Sequence, residues 1–239
     1  NTVNGIDTAG KLTIDTQAKI IQGMLTHNNS VSPSEVVLTA DQGIDSFNVG
    51  YSPKITATSS GGSIRLSVDS PGQLDIDAAI DVYTGGFLGA LPTIHAGQDI
   101  HLSNVFLSGD LVLDAGRDVN TGYFAHVLSL DATAGGNVNF NADVPLDPST
   151  SSIWMDGGDF VVTSTGGNIN FSDGSAVHLD DAASFELDAS GSVTMYKLET
   201  KGPVVITAGT GDITLHNDVG PFIVNPIDTP ALNDYDRPR

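Results

Sequence analysis

Residues 111–120 read L-V-L-D-A-G-R-D-V-N. Taken alone, the carboxylates, the arginine and the glycine invite a reading as a phosphate cradle or a metal site. Set against the rest of the chain, the stretch is one copy of a repeat. The pattern is apolar, any, apolar, any, small, a glycine-bearing turn, then an apolar anchor. The same order runs through V-V-L-T-A-D-Q-G-I (36–44), I-T-A-T-S-S-G-G-S-I (55–64), a shortened I-H-A-G-Q-D-I (94–100) and L-S-L-D-A-T-A-G-G-N-V (128–138). It returns in F-V-V-T-S-T-G-G-N-I (160–169), F-E-L-D-A-S-G-S-V (185–193) and V-V-I-T-A-G-T-G-D-I (204–213).

The small position reads Ala40, Ser59, Ala96, Ala115, Ala132, Ser164, Ala189 and Ala208. The anchors are Ile44, Ile64, Ile100, Val119, Val138, Ile169, Val193 and Ile213, at steps of 19 from Ile100 to Val138 and of 20 from Ile44 to Ile64 and Val193 to Ile213. A weaker copy, L-T-I-D-T-Q-A-K-I (12–20), opens the array. A further rung falls within 66–90, where the pattern leaves the register open.

Alternation of period two makes strands with one buried face. Glycine in nearly every turn and β-branched residues at the apolar positions argue against helix. A strand–turn–strand unit of about 20 residues cannot bury its apolar face alone, so copies must stack. The predicted fold is all-β: a single-stranded right-handed parallel β-helix of roughly ten rungs, on the order of 50 Å long. Residues 1–216 form the repeat domain, with insertions near 22–33, 77–93 and 141–159. Residues 217–239 form a proline-spaced cap or tail. The Ala/Ser row is expected at an inside corner where a larger side chain would clash.

The copies A-G-Q-D-I, A-G-R-D-V-N, A-G-G-N-V-N and G-G-N-I-N resemble the short repeats of filamentous haemagglutinin-type proteins, large bacterial exoproteins exported by two-partner secretion. The resemblance covers about residues 34–216. It implies a right-handed β-helical shaft on the bacterial surface, used for adhesion, aggregation or contact with other cells. The N-P-N-L and N-P-N-G motifs of the family's secretion domain are absent here, and N-T-V-N-G-I at the start is too distant to count, so the chain resembles shaft rather than secretion signal.

Charge narrows the partners. The chain carries a formal charge of −20, with 26 Asp against 3 Glu and only nine Lys and Arg. Such a surface repels nucleic acid and anionic membranes, because binding either needs cations to replace counterions. No apolar run is long enough for a membrane-spanning helix. The absence of Cys removes disulfides and thiolate metal sites. With no initiator Met and no signal-like segment at Asn1, a mature fragment or an excised domain is expected.

Several residues are candidates for function. Asp99 above Asp118, and Asp114 above Asp131, would bring like charges together. The remedy is water, a turn N–H, Arg117 reaching across, or a Ca²⁺ ion, which is the one cofactor the residues point to; otherwise none is expected. Asn120, Asn139 and Asn170 are expected to hydrogen-bond along the axis. His95, His101, His178 and His216 are scattered at outward positions without metal-site spacing. Asp180–Asp181 is the adjacent acid pair that a polysaccharide lyase or hydrolase would use, but adjacency on a strand sends the two side chains to opposite faces. Trp154 and Met155 in the longest insertion, with Tyr83 and Phe87 in another, are candidates for binding a glycan or a protein partner, or they pack their loops against the shaft. Phe222, Ile223 and Val224 would cap the last rung or insert into a neighbouring subunit. The expected function is a non-enzymatic, secreted adhesin shaft or surface scaffold that meets a cell-surface receptor, a glycan or like subunits. Alternatives are the self-assembling subunit of an extracellular fibre, a homo-polymer, and a β-helical polysaccharide-active enzyme.

Overall fold

The computed structural model of the chain describes residues 3–4, 10–25, 33–50, 52–69, 72–89, 91–107, 109–122, 124–140, 152–155, 157–172, 176–179, 182–200, 202–216 and 223–224. These residues form strands and turns with no helix, and every strand pairing is parallel. The fold is a parallel β-helical solenoid.

Each of ten rungs gives one strand to a first sheet. In chain order these are Lys11–Thr16, Glu35–Ala40, Lys54–Ser59, Gln73–Ala78, Leu91–Ala96, Asp110–Ala115, Ser129–Ala134, Gly158–Ser164, Ala182–Ala189 and Val204–Ala208. A short strand, Ile223–Val224, follows as an eleventh. After a tight turn, each rung's anchor opens a strand of the second sheet: Ile20, Ile44, Ile64, Val82, Ile100, Val119, Val138, Ile169, Val193 and Ile213. All the anchors are buried except Ile213, which is partly covered. Burial alternates strictly along most first-sheet strands, as in Glu35–Ala40 and Asp110–Ala115. That alternation is the period-two signal of the sequence turned into a dry interior.

The corner column is Thr16, Ala40, Ser59, Ala78, Ala96, Ala115, Ala134, Ser164, Ala189 and Ala208. One member differs from the sequence expectation. Ala132 stands in register with Leu113, and Ala134 is the partner of Ala115. The reason lies in the turn: three residues separate Ala134 from Val138, as three separate Ala115 from Val119. At two four-residue turns the corner is serine, and its hydroxyl accepts a turn N–H, from Gly62 to Ser59 (3.0 Å) and from Gly167 to Ser164 (3.1 Å). The turns stack so tightly that a Cβ at Gly116 would meet the carbonyl oxygen of Gly97, and one at Gly135 that of Gly116.

The open register within 66–90 resolves as an ordinary rung, Gln73–Ala78 with Val82–Gly89. Its corner is Ala78 and its anchor Val82, so residues 82–89 and 91–93 of the expected insertion near 77–93 are strand, with register shifts against Ile100–Leu107. A different irregularity takes its place. The long strand Ile100–Leu107 pairs with two strands of the next rung, Val119–Thr121 and Phe124–Val127. From there the second sheet forks. Its second arm continues through Ser152–Met155, Ala176–Leu179 and Lys197–Thr200. Four buried phenylalanines fill the upper rungs, with rings stacked at 4.6 Å for Phe140–Phe171 and 4.9 Å for Phe160–Phe185.

The corner column has a direct test. Ala115→Leu forces a branched side chain into a buried corner and is expected to cost about 1–3 kcal/mol by overpacking. Val112→Leu, on the exposed face of the same strand, should leave the denaturation midpoint nearly unchanged. Equal effects in chemical denaturation would overturn the corner assignment.

Candidate functional site

From Ser63 onward, the residue just before each anchor builds a ladder along the corner. Its side-chain oxygen accepts the backbone N–H of the equivalent residue on the next rung. The bonds run from Asp81 N–H to Ser63 (3.2 Å), Asp99 to Asp81 (3.2 Å), Asp118 to Asp99 (3.1 Å) and Asn137 to Asp118 (2.6 Å). They continue from Asn168 to Asn137 (2.9 Å), Ser192 to Asn168 (2.7 Å) and Asp212 to Ser192 (3.1 Å). Meanwhile the anchor N–H groups donate the other way, as from Ile100 to the Asp118 carbonyl and from Val119 to the Asn137 carbonyl, each at 2.9 Å. Short side chains suit this geometry; a Glu would overshoot by a methylene. The ladder begins above Gly43, which has no side chain to contribute and sits at φ 110° with the Ser63 carbonyl oxygen 2.7 Å from where a Cβ would stand.

Asp99 is tied further. Arg117 Nε donates to its Oδ1 at 2.6 Å and Arg117 Nη2 to its Oδ2, so the turn of one rung clamps the carboxylate of the rung before it. The Arg117 hydrogen bonds hold Asp99 below the usual carboxylate range; burial opposes this, while the Asp118 N–H reinforces it. Arg117 is raised in turn by the same partner. Of the remedies open to stacked carboxylates, the turn N–H and the arginine are both in place.

The four aspartates considered for calcium do not converge. Asp118 Oδ1 accepts from the N–H and the Nδ2 of Asn137. Asp114 lies in register with His95 and Thr133, and its Oδ2 is 3.0 Å from His95 Nδ1. Asp131 is the partner of Val112 and Val161, two residues out of step with Asp114. The expected Asp114–Asp131 stack is therefore absent, for the same reason that Ala134 replaces Ala132. Among the described residues no group of three or more His, Asp or Glu could hold a metal ion.

The row after the anchor carries Tyr83. Its ring is stacked on His101 at 4.6 Å and 3°, and the Arg65 guanidinium lies 4.7 Å from its centroid. His101 and Arg65 come from the rungs on either side, so both faces of the phenol ring are covered. Arg65 in turn meets Asp45 at 4.0 Å, and Lys19 meets Asp45 at 3.2 Å. Further along, the same row becomes Asn120–Asn139–Asn170, whose amides hydrogen-bond at 2.9 Å each. Met155 is 2% exposed; as a core residue it is not a binding residue, because the alternation of its strand turns it inward. Phe87 stands in register with Asp69 and Phe106, and Trp154 with His178; the side chains of Phe87 and Trp154 lie outside the described set. So do Asp180, Asp181 and Phe222. Ile223 and Val224 pair with Val205 and Ile206 of the chain's own tenth rung.

One row escaped the sequence reading. On the second arm, Trp154, His178 and Glu199 share a single register position. The anchor step stretches to 31 residues from Val138 to Ile169 and to 24 from Ile169 to Val193, which hides the period there, and the one usable signal is the alternation of apolar residues in I-W-M, V-H-L and L-E-T. Comparison with protein-family models, curated proteins and solved structures finds no match to this chain.

Two measurements probe the ladder. Asp118→Ala removes the acceptor of the Asn137 N–H and is expected to cost about 1 kcal/mol, whereas Asp118→Asn keeps the acceptor oxygen and should cost less. The second concerns acid. Because the folded chain keeps Asp99 ionised to lower pH than the unfolded chain, whose carboxyls titrate near about 3.9, its contribution is complete above that value. It is lost as pH falls through the lowered folded value. Melting midpoints followed from pH 7 to pH 2 should converge for the parent chain and Asp99→Asn only at the acid end; parallel curves would contradict the assignment.

Proposed function

We propose that this chain is a non-enzymatic shaft of a secreted bacterial surface protein of the filamentous haemagglutinin type, a scaffold that carries contact surfaces to a receptor, a glycan or another cell. The observation that carries this reading is the use the fold makes of its polar residues. The corner carboxylates and amides, which in a β-helical enzyme would gather in a groove, are committed rung by rung to backbone N–H groups. Their arrangement is linear and repetitive, which serves length and register rather than proton transfer at one point.

A fibre subunit is the second reading, favoured by one feature. In the first rung Leu12 and Ile14 are only partly covered, where Val36 and Leu38 of the next rung are fully buried. The strand Lys11–Thr16 is also the edge of the first sheet among the described strands. A further rung, from this chain or another copy, would cover that row.

Beads coated with the purified chain should attach to cells, and acidic polysaccharides incubated with it should remain undegraded. Depolymerisation that disappears in Asp180→Asn/Asp181→Asn would replace the shaft reading with an enzyme. Sedimentation separates the other two: a single species near 24.7 kDa fits the shaft, and a concentration-dependent ladder of larger species fits the fibre.

A further inference from the structure

The outer face of the first sheet is not uniform along the shaft. Over its first three rungs Lys11 and Lys54 both reach Glu35, at 3.0 Å and 3.7 Å. Over the next four, from Gln73–Ala78 to Ser129–Ala134, the face carries Asp75, Asp77, Asp110, Asp114 and Asp131, and these strands hold no Lys or Arg. Val112 sits among them. Asp110 and Asp114 flank it two residues away on its own strand, Asp131 is its register partner on the next rung, and Thr93 is its partner on the rung before. An outward valine thus has carboxylates on three sides, about 4.8 Å away across the rungs and roughly 7 Å along the strand. Leu91 lies on the Thr93 strand, two residues earlier, and Leu128 immediately precedes Ser129, the partner of Asp110. Leu91, Val112 and Leu128 are 55%, 39% and 42% exposed, and they are three of the five large apolar residues that stand exposed among the described residues. The one base of the patch, His95, already lies 3.0 Å from Asp114.

Two unfavourable features coincide on this face. Apolar side chains left in water gain by being covered, and carboxylates crowded on one sheet face gain from an added cation. A neutral apolar partner would strip water from the carboxylates without replacing it. A bare cation would answer the charge and leave Leu91 and Val112 wet. Lysine and arginine meet both needs, because the aliphatic stem lies along apolar surface while the charged head reaches a carboxylate. We propose that this face binds a cationic polypeptide segment of another protein, in which Lys or Arg is interleaved with aliphatic residues. The assignment rests on the scaffold reading above and gives it one contact surface and the chemistry of the partner.

Fluorescence anisotropy of a labelled decapeptide alternating Lys and Leu, titrated with the intact chain, is expected to saturate, and the affinity should fall as salt screens the carboxylates. Asp110→Asn/Asp131→Asn should weaken binding about tenfold or more by removing two of the flanking charges. Leu91→Thr/Val112→Thr keeps strand-favouring residues and should weaken it about fivefold through lost apolar contact. Both double variants should melt near the parent's midpoint. Glu186→Gln/Asp188→Asn removes the same charge from the same face two rungs further on and should change little. A decapeptide alternating Lys and Ser should bind more weakly than the Lys–Leu peptide. The assignment is overturned if the Lys–Leu peptide gives no saturable signal or if the Lys–Ser peptide binds as tightly. It is also overturned if the Glu186/Asp188 variant loses as much affinity as the Asp110/Asp131 variant, since the attraction would then belong to net charge alone. Bead attachment to cells separates the two proposals. Attachment without peptide binding leaves the shaft reading standing and removes this face, and peptide binding without attachment does the reverse.

Discussion

Parallel pairing from one rung to the next sets the terms for everything else in this protein. It holds each residue about 4.8 Å from its equivalents above and below, so side chains meet their own kind along the axis. For apolar residues this is favourable, and the phenylalanine stacks use it. For aspartates it is hazardous, because like charges placed directly opposite destabilise a sheet. The corner resolves the conflict by offset. Each side chain accepts the N–H of the residue above it, and the carbonyl of that upper residue accepts an anchor N–H from below. From Ser63 to Ser192, each ladder residue is thereby bonded to both neighbouring rungs.

That arrangement accounts for the residue types of the ladder. Asp81, Asp99, Asp118, Asn137 and Asn168 have the reach the corner needs. It also accounts for the segment L-D-A-G-R-D-V-N. Leu113 and Val119 are core, Ala115 fills the corner, Gly116 permits the turns to touch, and Asp118 is a ladder member. Arg117 is the local exception, reaching down to clamp Asp99. What looked like a site is a rung corner whose charges are matched within the fold.

The second sheet forks beyond the Ile100 rung, and the arm it creates receives the longest interruptions of the period.

The sequence by itself determined the all-β class, nearly all of the anchors, most of the corner residues and the Asn120–Asn139–Asn170 ladder. Each of these depends on local alternation and on a residue type repeated at a near-constant step, and both are visible along a single strand. Tertiary structure alone decided the rest. Ala134 rather than Ala132 takes the corner, and Asp131 falls out of line with Asp114, because register follows turn length and cross-rung hydrogen bonds rather than the nearest similar residue. The rung at 73–89 stayed hidden for want of a glycine turn, since Ala79-Ile80-Asp81 turns the chain there instead. The fork and the Trp154–His178–Glu199 row depend on which strands lie side by side, and breaks of variable length carry no trace of that in their own residues.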